Sequence, residues 1–96
     1  MTPSFAIRAT PHFERLAIAL LKRHPEFRPL LNQAREILRA DPYNRARAHH
    51  IKKLEGVPPG AGQYRLRLLR FRFRYDVAGN LVELVSCGLR REDTYR

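Results

Sequence analysis

The stretch Tyr64–Val77, YRLRLLRFRFRYDV, alternates apolar and basic residues, and the parity of its apolar positions changes partway along. Tyr64, Leu66 and Leu68 are even-numbered, whereas Phe71, Phe73, Tyr75 and Val77 are odd-numbered. Successive strand side chains point to opposite faces, so one strand cannot change its buried parity without a bulge or a turn. Strands run about 5–6 residues in the common case. A hairpin with its tip at Leu69-Arg70 is therefore the simpler account. A two-residue loop sets Leu68 opposite Phe71, Leu66 opposite Phe73 and Tyr64 opposite Tyr75. On the other face it sets Arg67 against Arg72 and Arg65 against Arg74. The tip lacks the Gly, Asn or Asp that tight hairpin turns favour.

Working outward, Ala78-Gly79-Asn80 makes a second turn, and Leu81–Cys87 reads as a strand apolar on both faces, hence interior to the sheet. Upstream, Gly56–Gly62 is rich in Gly and Pro and Arg45–Leu54 is polar and basic. Residues 43–62 read as a surface connector. The pattern leaves open whether Arg45–Leu54 forms a partial helix. Before it lie two apolar stripes at helical spacing. The first runs through Phe13, Leu16, Ala17, Leu20 and Leu21, with Thr10-Pro11 as its cap and His24-Pro25 as its stop. The second runs through Phe27, Leu30, Leu31, Ala34, Ile37 and Leu38 and stops at Asp41-Pro42, with Pro29 in its first turn. The short break between them predicts a helical hairpin. Ser4–Ala9 reads as a first strand.

At 96 residues there is room for one core, so residues 1–96 are expected to form a single domain. Cys87 is the lone cysteine, which excludes an internal disulfide and suits a reducing cytoplasm. The longest apolar run, Leu16–Leu21, is far short of a membrane span, and no secretory leader pattern opens the chain. Four scattered histidines show no ligand spacing, so no metal and no cofactor is expected. The charge is the outstanding property. Lys+Arg number 19 against 9 Asp+Glu, a formal +10. Sixteen of the cations are Arg and three are Lys. Arg contacts phosphate bidentately and stacks on bases. Between Arg45 and Arg74 stand nine basic residues and one acid, Glu55. Arginines paired across two strands repel, at about 0.2–1 kcal/mol per pair. A solvated face tolerates that cost, but a rigid arginine face also holds anions in fixed geometry. The partner is a polyanion, and composition leaves RNA, DNA and an acidic protein segment open.

Three motifs carry a resemblance: KKLEG at Lys52–Gly56, QYRLRLLRFRFRYDV at Gln63–Val77, and GLRREDTYR at Gly88–Arg96. In this order, behind a helical hairpin, they resemble the RelE/ParE family of toxins from type II toxin–antitoxin pairs. The resemblance implies an α+β fold of order β-α-α-β-β-β, with the helical hairpin packed on a four-stranded antiparallel sheet and a basic face opposite. It implies a toxin that cleaves mRNA in the ribosomal decoding site. Its partners would be the ribosome, mRNA and a cognate antitoxin with an acidic segment, and any DNA contact would come through the antitoxin. The family also contains gyrase inhibitors without nuclease activity, and a degenerate member would only bind RNA or antitoxin.

Carried over motif by motif, the resemblance assigns catalytic roles to Arg65 and Arg67, Arg72, Arg90 and Tyr95. At Arg72 the preceding residue is Phe71, where the family has tyrosine. Arg70, Arg74, Lys52, Lys53 and Arg91 are expected to bind RNA. RelE-type nucleases often carry lysines where Arg65 and Arg67 stand. Arginine keeps its proton in proteins and cannot serve as a general base. The base is thus unassigned, with His49, His50, Glu55, Glu92 and Asp93 as candidates.

Overall fold

The computed structural model describes residues 4–90. The arginine hairpin forms in the register that its parity predicts. Strand β3 (Tyr64–Leu68) pairs antiparallel with β4 (Phe71–Ala78) through Leu68/Phe71, Arg67/Arg72, Leu66/Phe73, Arg65/Arg74 and Tyr64/Tyr75. Leu69 completes the tip with φ of +54°. That conformation costs a non-glycine residue on the order of 1 kcal/mol. The side chain is 78% exposed, so nothing in the core depends on it. Glycine stands in the second turn, where Gly79 takes φ +61°. There β4 turns into β5 (Leu81–Leu89).

Helix α1 (Pro11–Arg23) starts where Thr10 accepts the Phe13 N–H at 3.0 Å, with Pro11 in the first turn. Helix α2 (Phe27–Ala40) tolerates Pro29 because the first-turn N–H groups have no intrahelical acceptor. Phe13 and Ala17 of α1, with Phe27, Leu30, Ala34 and Leu38 of α2, are buried against Leu66, Phe71, Phe73, Tyr75, Val82, Leu84 and Cys87. Phe27 stacks on Phe73 with ring centroids 5.6 Å apart and tilts against Phe71 at 5.0 Å. The phenol of Tyr75 donates to the Pro42 carbonyl at 2.7 Å, tying the end of α2 to the sheet. Burial, more than any neighbouring charge, raises that phenol's pKa far above its ordinary value.

Two features differ from the expected four-stranded antiparallel sheet. The sheet has five strands, in the order β1-β5-β4-β3-β2, and it is mixed. Strand β1 (Ala6–Ala9) lies parallel to β5, because the helical hairpin carries the chain over the sheet before it returns. Strand β2 (Ile51–Lys53) forms inside the expected connector and pairs with β3 through Ile51/Leu66, Lys52/Arg65 and Lys53/Tyr64. Ile51 alone faces the core, so no alternation announces the strand. Short length and paired lysines are also what keeps an edge strand from recruiting another chain.

Strand β5 carries a bulge. Arg74 pairs with Ser86 and Tyr75 with Leu84, leaving Val85 as the extra residue. The buried positions pass from Val82 and Leu84 to Cys87 across it. The "apolar on both faces" appearance of Leu81–Cys87 is thus a parity switch. Thr10 fastens the bulge to α1: its N–H donates to the Leu84 carbonyl at 3.0 Å and its hydroxyl to the Val85 carbonyl at 3.3 Å.

Candidate nucleic-acid interface

The strand registers lay the polar face out in rows. Arg67, Arg72 and Gly88 form one row, and Lys52, Arg65, Arg74 and Ser86 the next. His50 extends the first row. Its carbonyl accepts the Arg67 N–H at 3.0 Å, continuing the β2–β3 ladder one residue beyond β2. No acidic residue stands in either row. A third row holds Asp76, Glu83 and Arg8. The face is therefore cationic at one end and mixed at the other.

Both acids of the mixed end have partners within the chain. Asp76, 9% exposed, accepts the Gly62 N–H at 3.0 Å and the Gln63 N–H at 2.9 Å. Arg74 completes this clamp, donating from Nε to the Gly62 carbonyl at 2.9 Å and from a terminal nitrogen to the Ala61 carbonyl at 3.0 Å. Gly62 has φ +86°, and a Cβ there would lie 2.9 Å from Arg74 Cβ, so only glycine permits the approach. Glu83 takes Arg8 at 2.9 Å.

Among the described residues, two grooves open beside His50 and Arg67. One, of about 590 Å³, is lined by Leu30, Gln33, His50, Arg67, Leu68, Leu69 and Arg90. The other, of about 200 Å³, is lined by His50, Ile51, Lys52, Arg65 and Arg67. His50 and Arg67 belong to both. Arg72, opposite Arg67 across the hairpin, lines neither groove and is half-buried, with its Nε closed off from solvent. Arg90 follows β5, and its N–H donates to the Arg70 carbonyl at 2.6 Å.

Arg65, Arg67, Arg72 and Lys52 thus share one face, and Arg90 joins Arg67 at the larger groove. Three other expected RNA contacts have different surroundings. Arg74 is engaged with the connector carbonyls, as above. Arg70 pairs with Glu26 at 3.1 Å. That pairing, after the Glu26 backbone hydrogen bond, holds the carboxyl below its ordinary range. Lys53 alternates to the helix side of the sheet, its ammonium 5.8 Å from the centroid of the Tyr64 ring. Arg91 and Tyr95 lie outside the described residues, as do Glu92 and Asp93. Of the remaining candidates for a base, His49 is tied by its backbone to the Asn44 side chain. Glu55 lines neither groove. Leu30 and Gln33 went unforeseen, since nothing separates them in sequence from other residues of α2.

Cys87 is buried, and desolvation pushes its thiol up to about 12. It stays a neutral packing residue. Among the described residues no group of His, Cys, Asp and Glu side chains is arranged to hold a metal ion. No helix among them is long and apolar enough to cross a membrane.

Two helices on one side of a five-stranded mixed sheet make this an α+β fold of the RelE class. The chain is similar to a solved structure of that class, the crystal structure of the archaeal RelE–RelB complex from Pyrococcus horikoshii OT3. The TM-score is 0.65 at 25% identity, over 96% of this chain and 99% of that one. The chain thus has the RelE fold over nearly its whole length, as its three motifs led us to expect. No family model matches the sequence, and no curated protein matches it either.

Proposed function

We propose that this chain is the toxin of a type II toxin–antitoxin pair and that it arrests translation by cutting mRNA on the ribosome. The observation that carries this reading is the pair of adjacent rows holding Arg67, Arg72, Lys52, Arg65 and Arg74 with no acid among them. Strands stand about 4.8 Å apart, so neighbouring guanidinium groups can grip one phosphate from two sides. In RNA the 2′-hydroxyl attacks the adjacent phosphorus, the bond to the 5′-oxygen breaks, and a 2′,3′-cyclic phosphate remains. Negative charge grows on the phosphoryl oxygens along that path. Arginines fixed on a sheet stabilise it without having to reorganise. Arg65, Arg67 and Arg72 take that role, with Arg90 at the rim of the larger groove. Tyr95 is proposed to stack on a base, and Arg91 to add to the phosphate contacts.

The same face suits an antitoxin with an acidic segment, which would silence the toxin by covering the arginines. The RelE of the archaeal complex is bound to RelB, and the likeness supports a comparable partner here. The site of action would be the cytoplasm, where the ribosomes are.

Primer extension on mRNA from cells briefly expressing the chain tests the reading, with Arg72→Ala alongside. Discrete new 5′ ends inside translated codons, absent with the variant, are expected. Intact mRNA with growth arrest and DNA damage would transfer the target to gyrase. Intact mRNA with no arrest would leave a binding protein on a toxin fold.

A further inference from the structure

We propose that His50 is the group that accepts the 2′-hydroxyl proton in this cleavage, an assignment that rests on the nuclease reading above. Cleavage needs a proton acceptor as well as phosphate ligands, and arginine cannot be one. Of the candidates named from sequence, His50 is the one among the described residues that the fold delivers to the arginine rows. It lines both grooves, in each case beside Arg67. The ladder bond from the Arg67 N–H to its carbonyl, at 3.0 Å, fixes its backbone at the end of the row.

Strand alternation sends the His50 side chain to the polar face, since its neighbour Ile51 packs against the core. Two strand spacings separate it from Arg72, about 10 Å between backbones. Nearer still, a phosphate held by Arg65 and Arg67, which line the smaller groove with His50, brings the neighbouring ribose within reach of the imidazole. The other charged groups lining these grooves are Lys52, Arg65, Arg67 and Arg90. A guanidinium does not give up its proton in a protein, whereas an imidazole or an amine can exchange one. Of the two groups here that can take up a proton, His50 lines both grooves and Lys52 only the smaller one.

The step balances without a co-reactant. The imidazole takes the 2′-hydroxyl proton as the 2′-oxygen bonds to phosphorus. The 5′-oxygen departs and takes up a proton from solvent. The imidazolium then returns its proton to solvent.

The test is single-turnover cleavage of a defined mRNA bound to ribosomes, from pH 5.5 to 8.5, by the intact chain and by His50→Gln. Ribosome binding and circular dichroism are followed in parallel. The expected result is a loss of about 10²-fold in rate, within the range of general-base removal. Ribosome affinity and the far-ultraviolet spectrum should be unchanged. Wild-type activity should fall as falling pH protonates the general base, and His50→Gln should lack that fall. Wild-type rate and pH profile in His50→Gln would overturn the assignment while leaving the nuclease reading standing. The same loss in His49→Gln in place of His50→Gln would also overturn it. No cleavage by the wild-type chain would overturn both.

Discussion

The two ends of the polar sheet face are built from the same strands and put charge to opposite uses. At the mixed end, Asp76 holds the Gly62 and Gln63 amides and Glu83 holds Arg8. Each carboxylate there serves the fold. At the cationic end, Arg67 stands against Arg72 and Arg65 against Arg74, with no acid in either row. Such rows cost stability, since like charges face each other. The Phe13–Phe27–Phe73–Tyr75 core beneath supplies the rigidity that makes them usable. The difference teaches that charge on this face is read by row and not by count. Arg74 shows it best, an arginine of the cationic cluster whose guanidinium reaches across to the clamp at the other end.

Breaking the comparison from the cationic side should give the largest effect. Arg72→Ala is expected to lower mRNA cleavage by about 10²–10³-fold, as for removal of one transition-state hydrogen-bond donor. The side chain is half-buried, so the variant's urea midpoint should fall, but by less than that of Asp76→Ala. From the mixed end, Asp76→Ala should do the reverse. It orphans two amide donors beside a nearly buried site, and a loss of about 2 kcal/mol in urea denaturation is expected. Arg74→Ala lies between them. It should cost about 1 kcal/mol through the two lost carbonyl contacts and weaken cleavage less than Arg72→Ala does. Smaller still, Glu83→Gln removes an exposed ion pair and should shift stability by less than about 1 kcal/mol, with cleavage retained. Cys87 sharpens the core side of the account. A thiol buried and raised to about 12 stays protonated at pH 8, so a thiol reagent should label it only after unfolding. Labelling at the rate of a free thiol in the folded protein would contradict the packing described.

How much of this was legible in the sequence follows from which elements carry a period. The hairpin register followed from the parity change between Leu68 and Phe71, and with it the pairing of the arginines. The same parity logic held the bulge at Val85, but Val85 and Leu81 put apolar residues on both sides and masked the switch. Strand β2 offers one core residue, Ile51, too few for any periodicity. The parallel place of β1 is set by where the helices return the chain, which local sequence does not encode. At the site, Arg65, Arg67 and Arg72 came from alternation and motif together, and Lys52 from the motif alone. The separate roles of Arg70, Arg74 and Lys53 did not, because they depend on Glu26, on the Gly62 carbonyl and on which side of β2 faces the helices.

The most direct test measures, on the same preparations of Arg72→Ala and Asp76→Ala, the urea midpoint and the rate of mRNA cleavage per folded molecule on programmed ribosomes. The expected result is crossed: Arg72→Ala keeps more of the midpoint than Asp76→Ala and loses cleavage, while Asp76→Ala loses more stability and keeps cleavage per folded molecule. Parallel losses in both variants, or cleavage surviving Arg72→Ala, would contradict the division of the face into a working end and a structural one.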